Sequence, residues 1–166
     1  FHADHISGLP GLLLTMGNEG RTEPVTVIGP KGLTKVVGAL RTIAPELPFQ
    51  MNLVEINGAC ESFKFGFFEI TAFKVKHTVP CYGYTVCIRR SGKFDMEKAT
   101  KNKVPMRVWS TLQKNPTAIL DGVLYTQDMI LGPERKGIKI TYCTDTRPVP
   151  HISEYAQGSD LFICEG

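Results

Sequence analysis

Phe1-His2-Ala3-Asp4-His5 places two imidazoles and a carboxylate within four consecutive residues. Ligating side chains this dense need a scaffold behind them, because a free terminus frays. A buried strand is therefore expected before Phe1, and the chain reads as a segment truncated at that end. Two neutral nitrogens and one anionic oxygen are a donor set that zinc takes at roughly 2.0–2.2 Å and that manganese tolerates. Three ligands can hold one ion. Where the backbone turns sharply after a strand, residues two and three apart point in different directions, and the same tetrapeptide can feed two ions of a two-metal hydrolase. The plain alternative is a pair of surface histidines beside a helix-capping Asp.

Two further segments carry the same chemistry at strand ends, where α/β sheets present their functional side chains. Val75-Lys76-His77-Thr78-Val79-Pro80 leaves a lone His just before a Pro that stops strand pairing. Ile140-Thr141-Tyr142-Cys143-Thr144-Asp145 closes an apolar run on a single carboxylate. Alone, His77 would be an ordinary core or surface residue and Asp145 a turn former. Together with the opening cluster they give three sites that collect three His and two Asp.

The rest of the chain alternates short β-like and helical stretches. Pro24 to Ile28 reads as a strand stopped by Gly29-Pro30, and Leu33, Val36, Val37, Leu40 and Ile43 are spaced for one face of a helix. Met51 to Ile56, Phe67 to Lys76 and Tyr82 to Ile88 read as strands, with Phe68, Ile70 and Ala72 alternating against Glu69 and Thr71. Ile138 to Cys143 and Leu161 to Cys164 are apolar runs of the buried-strand type, separated by a helix from about Val149 to Ala156. Between Asp95 and Met129, two short helices, Met96 to Lys101 and Met106 to Gln113, are expected around a mobile basic loop. At 166 residues and 42% hydrophobic, the chain suits one domain spanning 1–166.

Charge is unevenly placed. Between Lys74 and Lys114 ten Lys or Arg face only Asp95 and Glu97, a local balance of +8 in a chain whose total is +3. A polyanionic partner fits that tract, although a solvated basic face accounts for it as well. The five cysteines form no C-x-x-C pair and sit mostly in apolar runs, which reads as buried free thiols in a reducing cytoplasm. No apolar run approaches the ~20 residues needed to span a bilayer, so no membrane partner is expected.

His2-Ala3-Asp4-His5-Ile6-Ser7-Gly8-Leu9-Pro10-Gly11-Leu12-Leu13 resembles the metal motif of the ribonuclease Z family, tRNA 3′-processing endoribonucleases in which HxHxDH precedes a Gly-Leu-Pro-Gly-Leu stretch. Four further strings resemble family elements in the same order: Ile28 to Gly32, His77 to Tyr84, Leu131 to Gly137 and Asp145 to Pro148. The likeness implies an α/β chain of the metallo-β-lactamase fold, an αββα sandwich, here partial and truncated at both termini. It implies His2 and His77 on one zinc, Asp4 and His5 on a second, and Asp145 bridging them, with manganese able to substitute. Asp4 could also accept a proton, and Glu165 resembles the acid of a His-Glu-Ala-Thr element, where it would orient a catalytic His outside this chain. Cys164 departs from the His of that element.

The resemblance further implies metal-activated hydroxide attack that removes the 3′ trailer from precursor tRNA, leaving a tRNA 3′-hydroxyl and a 5′-phosphate on the trailer. A cytoplasmic homodimer is the expected form of the whole protein. A family arm that grips tRNA matches residues 95–130 in position, with Lys98, Lys101, Lys103, Arg107 and Lys114 as RNA contacts. Met106-Arg107-Val108-Trp109 departs from the family's Gly-Pro sequence there, and Trp109 could stack on a nucleotide or anchor two helices. The competing readings are a hydrolase of a small phosphodiester, sulfate ester or lactone, and an inactive segment that binds RNA or metal weakly.

Overall fold

Two parallel strands joined by a helix open the scaffold. In the computed structural model, which describes residues 1–165, β1 (Val25–Pro30) pairs with β2 (Met51–Ile56) in the register Val25↔Met51 to Pro30↔Ile56. The crossover between them carries α3 (Leu33–Leu40), preceded in the chain by α1 (Ala3–Ile6) and α2 (Leu9–Asn18). A parallel pair needs such a crossover, because its strand ends lie at opposite poles. Leu33 and Val37, one turn apart, bury α3's inner face. Its first turn is closed by Glu55 from the end of β2, whose carboxylate accepts from the Thr34 N–H at 3.0 Å. That bond and one from Gly32 hold the Glu55 carboxyl below its ordinary range.

A five-stranded sheet follows, ordered β3 (Cys60–Phe65), β4 (Phe68–Val75), β5 (Cys81–Arg90), β8 (Arg135–Cys143), β9 (Leu161–Cys164). β8 and β9 run parallel, with α6 (His151–Ala156) in their crossover. Phe73, Val75 and Cys143 form a buried cluster against Ile152 and Tyr155, and Tyr155 stacks flat on Phe73 with ring centroids 4.1 Å apart. The buried Thr85 and Thr141 hydroxyls satisfy each other at 3.1 Å, and Thr141 also meets Ser159 at 2.8 Å.

The chain divides into two compact units. The first comprises Phe1–Phe65, Glu69–Val86 and the chain from Lys139 onward; the second comprises Gly66–Phe68 and Cys87–Ile138. Within the second unit lie α4 (Met96–Lys101), α5 (Met106–Lys114) and a hairpin of β6 (Thr117–Leu120) and β7 (Val123–Thr126). Asp95 caps α4 by accepting from the Lys98 N–H at 2.9 Å. Ala99, Val104, Val108, Leu112, Ile130 and Leu131 make its core, with Trp109 packed beside them.

Several sequence expectations need correction. Gly29 and Pro30 do not stop β1 but form its last two rungs, and the turn falls at Gly32, whose φ of 96° is left-handed. α3 ends at Leu40 and tightens into a 3-10 turn over Arg41–Ile43, which rotates Ile43 off the inner face and leaves it 73% exposed. Burial along β4 does not follow the expected alternation, because Phe73 and Val75 are buried as well as Ala72. β9 is not a buried strand: it ends the sheet order, and Leu161, Phe162 and Ile163 are all exposed. All five cysteines are free, yet only Cys143 is buried, while Cys60 and Cys164 are exposed. The expected basic loop between α4 and α5 is a tight turn, with Lys103 at φ 54°.

Candidate metal centre

The first compact unit gathers the predicted ligands from three chain segments. His2 is extended, at φ −93° and ψ 148°, and the chain turns helical at Ala3, so His2 leaves the backbone in a different direction from Asp4 and His5. His77 stands just past the end of β4, and Asp145 just past the end of β8. His77 Nε2 lies 3.2 Å from His2 Nδ1 and 3.1 Å from Asp145 Oδ2. The same Asp145 oxygen lies 3.3 Å from His5 Nε2, which is itself 3.4 Å from Asp4 Oδ2.

These spacings are those of ligands around an ion. Donors bound tetrahedrally at roughly 2.0–2.1 Å sit about 3.4 Å from one another by simple geometry. Ligand atoms of His2, His77 and Asp145 all fall within 4.8 Å of one another, which makes them a three-ligand set for one ion. His5 and Asp4 extend the array beyond Asp145 without joining that set. Asp145 therefore stands between two groups of donors, the position a bridging carboxylate occupies. Imidazole nitrogens and carboxylate oxygens are the donors that zinc and manganese accept, so the residues present fit such ions.

What holds Asp145 there is a set of backbone clamps. Its φ of 54° is left-handed, a conformation costing a non-glycine residue on the order of 1–2 kcal/mol. The Glu165 carboxylate accepts from the Asp145 N–H at 2.8 Å, and the Cys81 thiol reaches the Asp145 carbonyl at 3.8 Å. Thr146 accepts from the Lys76 N–H at 3.1 Å, and its own proton faces the Lys76 carbonyl at 3.1 Å and that of Arg147 at 2.9 Å. Lys76 and Arg147 also pair as an isolated antiparallel bridge. Glu165 thus touches the backbone of Asp145. The Thr146 hydroxyl acts where two distant segments cross, a role that no local sequence pattern reveals.

A cleft of about 350 Å³ opens beside these ligands, walled by apolar residues including Val27, Val36, Val79 and Tyr84. Burial, with smaller contributions from Cys81 and Tyr82, pushes the Tyr84 phenol up to about 12. Burial first, then the Asp145 charge, raises the Cys81 thiol.

The five basic residues expected to contact RNA, Lys98, Lys101, Lys103, Arg107 and Lys114, belong to the second unit. Lys101, Lys103, Arg107 and Lys114 are exposed. Lys98 is half-buried and its ammonium donates to the Leu131 carbonyl at 2.7 Å, which ties it to its own unit. Trp109 donates from its indole to the Val104 carbonyl at 2.9 Å and packs on Phe94, an anchoring role.

The whole chain is 64% identical over 166 residues to a ribonuclease Z of Agathobacter rectalis and 61% identical to that of Lachnoclostridium phytofermentans, covering 55% of each. The chain thus spans about half the length of the curated relatives it matches. No family model matches it. Among solved structures, a metallo-β-lactamase fold protein, YhfI of Bacillus subtilis, is 13% identical with a TM-score of 0.47, over 98% of this chain and 45% of that one.

Proposed function

The chain is homologous to ribonuclease Z over its whole length, and from that premise we propose that the protein carrying it is a zinc-dependent endoribonuclease of the metallo-β-lactamase fold that removes the 3′ trailer from precursor tRNA. The observation that carries this reading is the donor spacing around Asp145, 3.1 Å to His77 and 3.3 Å to His5. His2 and His77 would hold one ion, Asp4 and His5 a second, and Asp145 both. Bound divalent ions supply Lewis acidity and an activated water for attack on a phosphodiester. Asp4, 76% exposed at its side chain, can take up a proton at its free oxygen. Glu165 fixes the Asp145 backbone and has a second oxygen left to orient an imidazole.

Phosphodiester selectivity for RNA would come from the basic unit over 95–130, where Lys101, Lys103, Arg107 and Lys114 offer unburied charge for phosphate contacts. No helix is long and apolar enough to cross a membrane. A cytoplasmic homodimer is the form in which we place the whole protein. In a zinc-supplemented assay, the protein that carries this chain should cut precursor tRNA once, at the trailer junction. Hydrolysis of bis-p-nitrophenyl phosphate with precursor tRNA left intact would instead favour a small-substrate hydrolase.

A further inference from the structure

His77 is the rim between two clefts of the first unit. The metal-side cleft of about 350 Å³ has no Lys or Arg among its lining residues. On the other flank of His77 opens a second cleft of about 560 Å³, lined by Lys74, Lys76, His77, His151, Glu154 and Tyr155 among others. Lys74 lies in β4 and Lys76 just past its end, in the isolated bridge to Arg147, so these alternate side chains leave the same face, about 6–7 Å apart along the extended chain. Val75 between them is buried, whereas both lysines are exposed. Among the described residues neither ammonium is engaged in an ion pair or hydrogen bond.

The wall behind them is held by hydrogen bonds and a ring stack. His151 Nε2 lies 2.7 Å from the Lys74 carbonyl, and since a carbonyl only accepts, that nitrogen carries the proton. Tyr155 lies flat on Phe73 and donates its hydroxyl to Cys60 Sγ at 3.1 Å. A polynucleotide held at His77 and Asp145 has to continue on either side of the bond to be cut. The metal-side cleft offers its backbone no countercharge, and the second cleft offers two unengaged ammoniums against one acid, Glu154.

We infer that this second cleft is a phosphate subsite for the RNA strand flanking the scissile bond, with Lys76 meeting the nearer phosphate and Lys74 the next. The inference rests on the endoribonuclease reading and adds to it the direction in which the strand leaves the centre. Contacts of this kind position the backbone and carry no sequence information.

The test is binding of fluorescently labelled single-stranded RNA to the chain, measured by anisotropy between 50 and 200 mM salt. Each phosphate contact adds about 0.7 to the slope of log affinity against log salt for single strands. Lys74→Ala/Lys76→Ala should therefore lower the slope by about 1.4 and weaken binding equally for oligonucleotides of different sequence. Lys35→Ala/Lys64→Ala, which removes the same charge from exposed positions outside both clefts, should leave the slope unchanged. An equal fall in the two double variants would make the effect one of general field and overturn the subsite. So would RNA binding by Lys74→Ala/Lys76→Ala at the parent's slope while Lys101→Ala/Lys103→Ala weakens it, a result that leaves the endoribonuclease reading standing. Absence of any salt-dependent RNA binding by the parent chain would count against both.

Discussion

Thr146 and Lys76 exchange hydrogen bonds in both directions: the hydroxyl accepts from the Lys76 amide and faces the Lys76 carbonyl, each at 3.1 Å. One of these residues follows Asp145 and the other precedes His77, so the pair splices two ligand-bearing segments 70 positions apart. Thr146→Ala removes the acceptor of a backbone N–H and should cost about 0.5–1.5 kcal/mol. A loss of a few degrees in Tm is expected, together with weaker zinc binding in a chelator competition. Thr146→Ser keeps the hydroxyl and should restore both. A Ser variant as weak as the Ala variant would show that the threonine methyl, not the hydroxyl, matters.

Phe73 sets a second constraint through Gly83. A β-carbon at Gly83 would sit 2.4 Å from the Phe73 ring, and that ring is held by its stack on Tyr155. Gly83→Ala should therefore destabilise by roughly 1–3 kcal/mol. Gly38 in α3 meets nothing within 4 Å, so Gly38→Ala should stabilise by about 0.5–1 kcal/mol. Urea unfolding of the two variants should move in opposite directions from the parent.

Alkaline stability follows from Tyr84. Its phenol is raised by burial to about 12 in the folded chain, against about 10 when exposed. The folded state keeps a proton that the unfolded state releases, so the contribution is complete below pH 10 and lost as pH rises toward 12. The loss is on the order of 2–3 kcal/mol. Tyr84→Phe should flatten the fall in urea midpoint between pH 9 and pH 11.5, and an unchanged fall would exonerate this residue.

Core packing of the second unit depends on Leu112, which is fully buried on α5 among Ala99, Val108 and Ile130. Leu112→Ala should cost about 2–5 kcal/mol. Hydrogen exchange should then quicken in α4, α5 and the β6–β7 hairpin. Protection there equal to the parent's would show that the core has another keystone.

The convergence of His2, Asp4, His5, His77 and Asp145 was legible because ligand chemistry at strand ends is a local signal, repeated at three places. The two helices were legible too: Met96–Lys101 is as expected, and the one expected over Met106 to Gln113 runs one residue further, to Lys114. The hairpin after them, absent from the sequence expectations, has its own mark: Asp121-Gly122, with φ of 51° and 78°, joins the apolar runs of β6 and β7 in the two-residue turn that this dipeptide favours. β3 also carries a local mark, since Glu61, Phe63 and Phe65 alternate with the outward Ser62 and Lys64. The clamp on Asp145 and the cleft beside Lys74 were beyond reach, because both arise where distant segments cross.

Asp145 is the residue on which the metal-centre reading depends, since its Oδ2 lies against both His77 and His5. Zinc should be titrated into the parent chain, His77→Ala and Asp145→Ala against a chromophoric chelator, with circular dichroism confirming that each is folded. His77→Ala should weaken the site it shares with His2, and Asp145→Ala should weaken every zinc site of the chain at least tenfold. Folded Asp145→Ala protein that takes up zinc with the parent's stoichiometry and affinity would contradict the assignment.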